Sequence, residues 1–478
     1  MSNKPIFLWP VISMAVLSGC SMIPAYERPA APVAAQFPGE QGSADASPAV
    51  PAADIQWQDF FADAKLKQLL AAALQNNRDL RIAVLNIEQA RAQFQIRRAD
   101  QLPTLSAALA GSRQATGVSG NDAGNSVSTY SAGLGITAYE LDFFGRVASL
   151  KEAALAQYLA TQEGRKTAQI SLIGSVANTY LAILADDELL SITQQTLSTR
   201  QASYQLAKLR FEGGVASELD LRSAQSLLET ANTALAQQTR QRALSENALT
   251  LLVGQSLSGD LAVNSGKALD STALQDVPAG LPSDLLVRRP DIRQAEQQLI
   301  AANANIGAAR AAFFPRIALT TTAGSASSRL SGLFQSGTWG WTLAPQLLLP
   351  IFDAGRNQAG LDSSKAGQAI AVASYEKAIQ TAFKEVADAL AGRATYAEQL
   401  RASQAQATAE AVRYRLADLR YQNGVASQLD QLDAQRALFA ARQAVVQTRL
   451  AQLQSQVTLY KVLGGGWKDE AGVVSAPQ

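Results

Sequence analysis

Two hydrophobic patterns alternate along the chain, and the first of them predicts unusually long helices. Residues 146–212 contain no proline, and their apolar positions recur every three or four residues. The series includes Ile170, Ile173, Ala177, Leu181 and Leu184. Gln, Ala, Arg and Ser surround them, so the apolar seam is narrow, as in helices that form coiled coils. At about 1.5 Å per residue, a helix of about 60 residues reaches about 90 Å, which suits a structure that crosses a compartment.

The second pattern predicts β-strands, because apolar residues alternate with other residues over short segments. Four such segments occur, at residues 103–111, 130–140, 315–323 and 339–350. Their length is that of a tilted strand that crosses a membrane. Tyr130, Trp339 and Trp341 lie at strand ends, where an aromatic belt would lie. A soluble hairpin packed on helices would give the same pattern, so that alternative stays open at this point.

A membrane location for these segments requires several copies of the chain. Hydrocarbon tolerates only helices and closed barrels, since an open sheet edge would leave backbone groups unpaired. We find no apolar run after residue 20 that is long enough for a membrane-spanning helix. The smallest barrels have about eight strands. Four strands per chain therefore predict a shared barrel, to which three copies would contribute twelve strands.

The chain is an internal two-fold repeat. YQLAKLRFEGGVASELDLRSAQ (204–225) and YRLADLRYQNGVASQLDQLDAQ (414–435) match at 13 of 22 positions without a gap. Residues 79–105 align in the same way with residues 291–317. An internal duplication predicts that the two halves of the chain have the same order of helices and strands. We place the first repeat at 61–254, a linker at 255–284, the second repeat at 285–466 and a C-terminal tail at 467–478.

Each repeat contains the same glycine-centred turn between two helical runs. Gly214 and Gly424 supply the positive φ that reverses the chain at little cost. A serine follows as a helix N-cap, with an aspartate three residues later that completes a capping box. These pairs are Ser217 with Asp220 and Ser427 with Asp430. The turn is therefore predicted to be the tip of a helical hairpin, made twice per chain.

The N-terminus has the features of a bacterial lipoprotein signal. A basic residue, Lys4, precedes an apolar stretch that is interrupted by Pro10 and too short to span a membrane comfortably. The stretch ends in Leu-Ser-Gly-Cys20, which resembles a lipobox whose cysteine is diacylated and becomes the new N-terminus. Ser21, rather than an aspartate, directs such a lipoprotein to the outer membrane. We predict a signal peptide at 1–19 and a lipidated, extended segment at 20–60; the alternative is a plain signal peptide with a free or buried thiol.

Composition removes most enzyme classes. The chain has 41 basic and 40 acidic residues, so no electrostatic reason favours nucleic acid. It has no histidine, which excludes imidazole bases, Ser-His-Asp systems and His-ligated zinc. Its single cysteine can form no internal disulfide. Chemistry that uses carboxylates alone, such as glycoside hydrolysis, stays formally open. We expect no enzymatic activity, no metal site and no cofactor besides the lipid on Cys20.

Together these features resemble the TolC-like outer-membrane factors of tripartite efflux pumps, in the lipidated, OprM-like branch. The resemblance covers nearly the whole chain. Its most specific stretches are LPSDLLVRRPDIRQAEQQLIAANANIGAARAAFFPRIALT (281–320), YELDFFGR (139–146), LPIFDAGR (349–356) and YKVLGGGW (460–467).

The resemblance implies a mainly α-helical chain that contributes four strands to a membrane β-barrel. It implies a homotrimer with one shared 12-stranded barrel, a long coiled-coil tunnel in the periplasm and an equatorial belt. That belt would draw on 186–203, 255–284, 396–411 and the tail. The implied function is a passive, lipid-anchored exit duct in the bacterial outer membrane for drugs and small toxic solutes. The implied partners are a periplasmic adaptor, an inner-membrane pump of the RND type and outer-membrane lipid.

The resemblance also assigns roles at the hairpin tips. Leu429 and Asp433 match the periplasmic constriction, with Asp430 beside them. Tyr421, Asp220 and Arg436 match positions that tie neighbouring hairpins together in the closed state. Some members place an arginine between the glycine and the acids, where this chain has Ala426. Capping alone accounts for Asp220 and Asp430, but not for Asp433, whose counterpart in the first repeat is Ser223.

Three other functions compete with an efflux duct. A type I protein-secretion duct would share the architecture, although lipidation and the RRPDIR stretch favour efflux. A structural coiled-coil lipoprotein of the cell envelope would have no use for the four alternating segments. A carboxylate-only glycosidase is remote, because long helices rich in Gln and Ala offer no substrate cleft.

Overall fold

The computed structural model describes residues 21–34, 37, 52–116, 125–263, 269, 272, 274–277 and 282–467. Cys20, with its predicted lipid, and residues 468–478 of the tail lie outside the described residues. Contacts divide the chain into two compact units. The first comprises Met1–Ala30, Asn86–Gln162 and Gln294–Glu376, and the second comprises Ala31–Leu85, Glu163–Arg293 and Lys377–Gln478.

The chain is mainly helical and follows the predicted repeat. The first repeat runs α1 (Trp57–Phe60), α2 (Ala64–Asn76), α3 (Arg78–Ala99), β1 (Leu105–Thr116), β2 (Asn125–Leu141), α4 (Arg146–Glu212) and α5 (Glu218–Val253). The second runs α6 (Pro282–Arg288), α7 (Pro290–Ala311), β3 (Arg316–Ser327), β4 (Trp339–Leu348), α8 (Arg356–Gln422) and α9 (Gln428–Val462). This order confirms the internal duplication.

The two long helices have equal lengths in the two repeats. Helices α4 and α8 each contain 67 residues, which corresponds to about 100 Å. By length and composition, α4 contains one stretch that is apolar enough to span a membrane. This differs from the prediction that no such stretch follows residue 20. However, 67% of that stretch is buried in the fold, as in the core helix of a soluble protein.

Four antiparallel strands form one sheet in the order β1-β2-β3-β4, where the alternating segments predicted them. Three of the four strands extend further than those segments did. The β2–β3 register shifts between Ile136 and Tyr139, where Ala138 has a φ of 52°. Pro345 lies in β4, an edge strand, where the missing N–H is tolerated. Within this sheet β1 and β4 are paired on one side only.

The pairing register gives the sheet two chemically different faces. Residues directly opposite each other share a face. One face is predominantly apolar and carries Leu105, Ala107, Leu109, Ala132, Leu134, Ile136, Ile317, Leu319, Trp339, Trp341, Leu343 and Leu347. The other carries small and polar residues, namely Ser106, Ala108, Ser131, Gly133, Gly135, Thr320, Thr322, Gly324, Gly340, Thr342, Ala344 and Gln346. Most of the large apolar side chains are exposed, which marks a surface that another phase or chain covers.

In the first unit, residues 22–28 lie along α7. Arg28 forms two hydrogen bonds with the Glu296 carboxylate, at 2.7 and 2.9 Å, and the Tyr26 hydroxyl donates to the same carboxylate. Burial, followed by the charge of Glu296, raises the pKa of Tyr26 to about 12, so the hydroxyl stays protonated at neutral pH. Asn303 donates to the Pro24 carbonyl at 2.8 Å. These contacts hold residues 22–28 of the predicted N-terminal segment in an extended conformation. The end of that predicted segment is not extended, because Ala52–Asp54 form a 3-10 turn and Trp57–Phe60 form α1.

In the second unit, an aromatic cluster joins the end of α9 to α1. The Tyr460 ring stacks on Phe60 with centroids 4.0 Å apart, and its hydroxyl donates to the Ile55 carbonyl. Nearby, Arg289 of the RRPDIR stretch bonds Asp291, Glu385 and the Val462 carbonyl. The stretch thus has a structural role, because one guanidinium connects α7, α8 and α9.

Candidate functional site

Both helical hairpins reverse through the same backbone geometry. Gly214 and Gly424 have φ values of 71° and 72°. The next residue donates its N–H to a carbonyl five positions earlier, from Val215 to Arg210 and from Val425 to Arg420, at 2.9 Å in each case. This is the Schellman arrangement that ends a helix with a left-handed residue. A Cβ on either glycine would meet nothing within 4 Å, so backbone conformation rather than space requires glycine.

The return helices begin with complete capping boxes. The Ser217 hydroxyl accepts from the Asp220 N–H at 3.1 Å, and the Asp220 carboxylate accepts from the Ser217 N–H at 3.2 Å. Ser427 and Asp430 form the same pair of bonds at 3.2 Å each. Both carboxylates therefore satisfy helix N-termini, where negative charge is also favourable.

Asp433 belongs to a different arrangement, which connects the two helices of the second hairpin. Its Oδ2 accepts from Nη2 of Arg413 on α8 at 2.6 Å, and its Oδ1 accepts from Arg436 at 3.3 Å. Arg413 also donates to Glu410 at 3.1 Å. The bond to Asp433, followed by the bond to Glu410, raises the pKa of Arg413 above its ordinary value. Arg413 is not among the residues that the sequence predicts for this site, although it directly precedes the repeated segment 414–435.

The three residues predicted to tie hairpins together have different contacts. Tyr421 is only 8% exposed, and the guanidinium of Arg210, at the end of α4, lies 4.6 Å from its ring centroid. This contact joins the first hairpin to the second. The Asp220 carboxylate remains in its capping box, and the backbone carbonyl of Asp220 accepts from Gln428 at 3.5 Å. Arg436 donates to Asp433 on its own helix at 3.3 Å. Arg210 is a second residue that sequence analysis missed.

Behind the tips, Arg200 also bridges the two hairpins. It is 2% exposed, donates to the Leu227 carbonyl at 3.0 Å and lies 5.2 Å from the Phe439 ring centroid. Burial, and secondarily the charge of Arg436, lowers the pKa of this guanidinium. Local sequence gave no signal for it, because its partners come from two other helices.

The end of the hairpins is apolar and exposed. Leu429 is 64% exposed, and Val215, Leu219 and Val425 are more exposed still. Leu429 also lines a groove of about 320 Å³ between the first turns of α5 and α9, together with Arg222, Ser223 and Arg436. Within the described residues no group of acidic or cysteine side chains could hold a metal ion. The chemistry of the tips is therefore that of charge, shape and contact between helices.

Comparison with known proteins agrees with this architecture. The sequence model of the family described as outer membrane efflux protein matches residues 69–255 and 281–465, which correspond to the two repeats. The chain is 50% identical over 464 residues to the toluene efflux pump outer membrane protein TtgC of Pseudomonas putida, covering 96% of each chain. It is 43% identical to the outer membrane protein OprJ of Pseudomonas aeruginosa, covering 99% of this chain and 98% of that one.

Solved structures give the same result at the level of the fold. The open state of the MtrE outer membrane channel of Neisseria gonorrhoeae superposes with a TM-score of 0.84 at 42% identity. That match covers 94% of this chain and 99% of MtrE. The Campylobacter jejuni CmeC outer membrane channel also superposes with a TM-score of 0.84, at 26% identity, covering 94% of this chain and 95% of CmeC. With both repeats matched and relatives similar along nearly their full length, the chain belongs to the outer membrane efflux protein family.

Proposed function

We propose that three copies of the chain form one exit duct, with their twelve strands closed into a single barrel through the outer membrane. The sheet carries this proposal: it has only four strands, and its edges β1 and β4 lack partners within the sheet. An unpaired edge in hydrocarbon costs several kcal/mol per backbone group. Pairing β4 of one copy with β1 of the next removes every edge.

The two faces of the sheet support the same assembly. Closed into a barrel, the sheet turns the face with Trp341, Leu343 and Leu347 toward lipid. The face with Thr342, Ala344 and Gln346 then lines the lumen, where small and polar side chains leave room for water and solutes. A soluble hairpin would instead cover its apolar face with helices, whereas every residue of β4 is exposed.

The solutes that we propose are drugs and small apolar toxic compounds. TtgC is named for toluene efflux, and the related ArpC of Pseudomonas putida is named for antibiotic efflux, at 50% identity each. A passive duct does not drive transport, so it requires an inner-membrane pump and a periplasmic adaptor. We propose an RND-type pump as the partner. Cys20, acylated after removal of residues 1–19, would add a lipid anchor to the barrel.

We further propose that the duct closes at its hairpin tips. In a trimer, Leu429, Asp430 and Asp433 would each form a ring of three, and Leu429 and Asp433 would form the constriction. Asp430 mainly caps its helix. The contact between Arg210 and Tyr421 would hold the two hairpins of one copy together in the closed state.

The stoichiometry of the purified protein tests the shared barrel. We expect light scattering in detergent, corrected for bound detergent, to give three copies of the processed chain plus any attached lipid. Each copy is lighter than the 50.5 kDa of the full sequence, because residues 1–19 are removed. A monodisperse monomer that retains its strands would contradict the proposal, because four strands cannot close a barrel.

A further inference from the structure

The two hairpins of one chain are nearly the same structure, yet only the second contains the ion pair between Arg413 and Asp433. The repeats align at an offset of 210 residues. At that offset Arg413 corresponds to Ser203, and Asp433 corresponds to Ser223. The glycine turn and the capping box are present in both copies, so neither of them requires the pair.

In the second hairpin the ion pair is part of a network that spans α8 and α9. Arg413 donates to Asp433 at 2.6 Å and to Glu410 at 3.1 Å, and Arg436 donates to the other oxygen of Asp433 at 3.3 Å. Two acids and two bases are thus joined, with a formal charge of zero. The first hairpin has Arg200 and Ser226 in place of Glu410 and Arg436, so it lacks the whole network.

We infer that Arg413 sets the charge of the constriction by positioning and partly neutralising Asp433. This inference rests on the proposed closure at the hairpin tips. A free ring of three carboxylates attracts cations and repels anions. A carboxylate that holds a guanidinium at 2.6 Å presents a much weaker field to a passing ion, since the two opposite charges nearly cancel. Arg413 is therefore a selectivity-determining residue, although it lies 20 positions from the acid that it controls.

The test compares purified full-length channels in planar bilayers at low salt, where charge effects are least screened. The variants are Arg413→Gln, Arg413→Lys, Asp433→Asn and the double variant Arg413→Gln/Asp433→Asn. Arg415→Gln is the matched control, because Arg415 is an exposed arginine on the same helix and both oxygens of Asp433 are bonded by other residues. The measurements are the reversal potential in a potassium chloride gradient and block by Mg²⁺ from the periplasmic side.

We expect Arg413→Gln to raise cation selectivity and to strengthen Mg²⁺ block at least about fivefold, because a single pair of unit charges at about 4 Å in water is worth about 1 kcal/mol. The divalent ion would meet three uncovered carboxylates in a trimer. Arg413→Lys and Arg415→Gln should behave as the wild type, because the first keeps the charge and the second leaves the pair intact. Asp433→Asn should weaken block. Adding Arg413→Gln to it should return block toward the wild-type level, because the remaining Glu410 and Arg436 again carry a formal charge of zero.

The outcomes distinguish a failure of the proposed constriction at the hairpin tips from a failure of the role inferred for Arg413. If Asp433→Asn leaves both selectivity and block unchanged, then the proposed constriction is wrong and the inference falls with it. If Asp433→Asn weakens block but Arg413→Gln equals the wild type, then the constriction stands and the role of Arg413 is overturned. An equal gain in Arg415→Gln would also overturn it, since that result would show a general effect of surface charge.

Discussion

At the scale of single residues, the hairpin tips contain two kinds of residue. Some form the turn and cap the next helix, and others are charged but are not needed for the turn. The glycines have a left-handed backbone, and the serine and aspartate pairs satisfy the free N–H groups of the next helix. Asp433 is needed neither for the glycine turn nor for the capping box. Its side chain is bonded by Arg413 and Arg436 instead, and we propose that this network controls ion passage.

The turn glycines make a prediction about stability. Replacing Gly424 by alanine places a Cβ in the left-handed region and should destabilise the second hairpin by about 1–2 kcal/mol. The matched control is Gly360→Ala, since Gly360 lies within α8 and also has open space around its Cβ position. There alanine should be neutral or stabilising by up to about 1 kcal/mol, because it favours helix more than glycine does.

Limited proteolysis near residue 424 and thermal unfolding would measure both variants. Equal behaviour of Gly424→Ala and Gly360→Ala would show that the left-handed turn is not needed.

Spacing in the sequence predicted the tip residues whose partners lie within a few positions along the chain. It missed Arg413, Arg210 and Arg200, whose partners are distant in the sequence. The capping boxes and the glycine turns are local, so spacing alone identifies them. Arg413 meets Asp433 across a hairpin, and Arg210 meets Tyr421 across two hairpins. Arg200 depends on α5 and α9. Spacing along the chain contains no information about such pairs until the register of the helices is known.

At the scale of elements, the sheet and the long helices differ in how their backbone groups obtain hydrogen-bond partners. A helix satisfies its own backbone, so α4 and α8 can continue for 67 residues with only a narrow apolar seam. A strand needs a neighbour on each side, and this sheet provides only one for β1 and only one for β4. The helices of each repeat therefore satisfy their own backbone groups, whereas the sheet leaves one edge of β1 and one edge of β4 unpaired.

The two-faced sheet predicts opposite results for neighbouring substitutions in β4. Leu343→Arg places a charge on the apolar face and should destabilise membrane insertion by about 2–4 kcal/mol if the site lies near the bilayer midplane. Thr342→Arg, one position away, places the same charge on the other face, where water can solvate it.

The measurement is the amount of trimer recovered from outer membranes, with total expression as the reference. We expect loss for Leu343→Arg and near-normal recovery for Thr342→Arg. The reverse order would mean that the faces are assigned incorrectly.

Alternation in the sequence predicted that these strands exist but not how far they extend. Strand β1 continues to Thr116 and β2 begins at Asn125, through residues rich in Ser, Gln and Thr. Those residues lack an apolar alternation, and backbone pairing rather than side-chain burial extends the strands there. The bulge near Ala138 likewise leaves no pattern in a single sequence.

At the scale of the whole molecule, the chain is an outer membrane efflux protein whose sheet requires further copies of itself. The lipoprotein-like N-terminus, the two-faced sheet and the network at the hairpin tips each fit a duct that is anchored in lipid and closed at one end. A structural spacer would need the helices but not the sheet. We therefore propose that the assembled chain conducts and that its hairpin tips restrict conduction.

Single-channel conductance of the purified protein in a planar bilayer is the decisive measurement for this proposal. We expect discrete openings of low conductance for the wild type, and higher conductance for Leu429→Ala, because a shorter side chain widens the proposed constriction. Leu251→Ala is the matched control, since Leu251 is similarly exposed but lies at the far end of α5, away from the tip. The control should conduct as the wild type does. Absence of channels in a trimeric preparation would show that the assembled chain is not a duct, and equal conductance of Leu429→Ala and the wild type would show that Leu429 does not form the constriction.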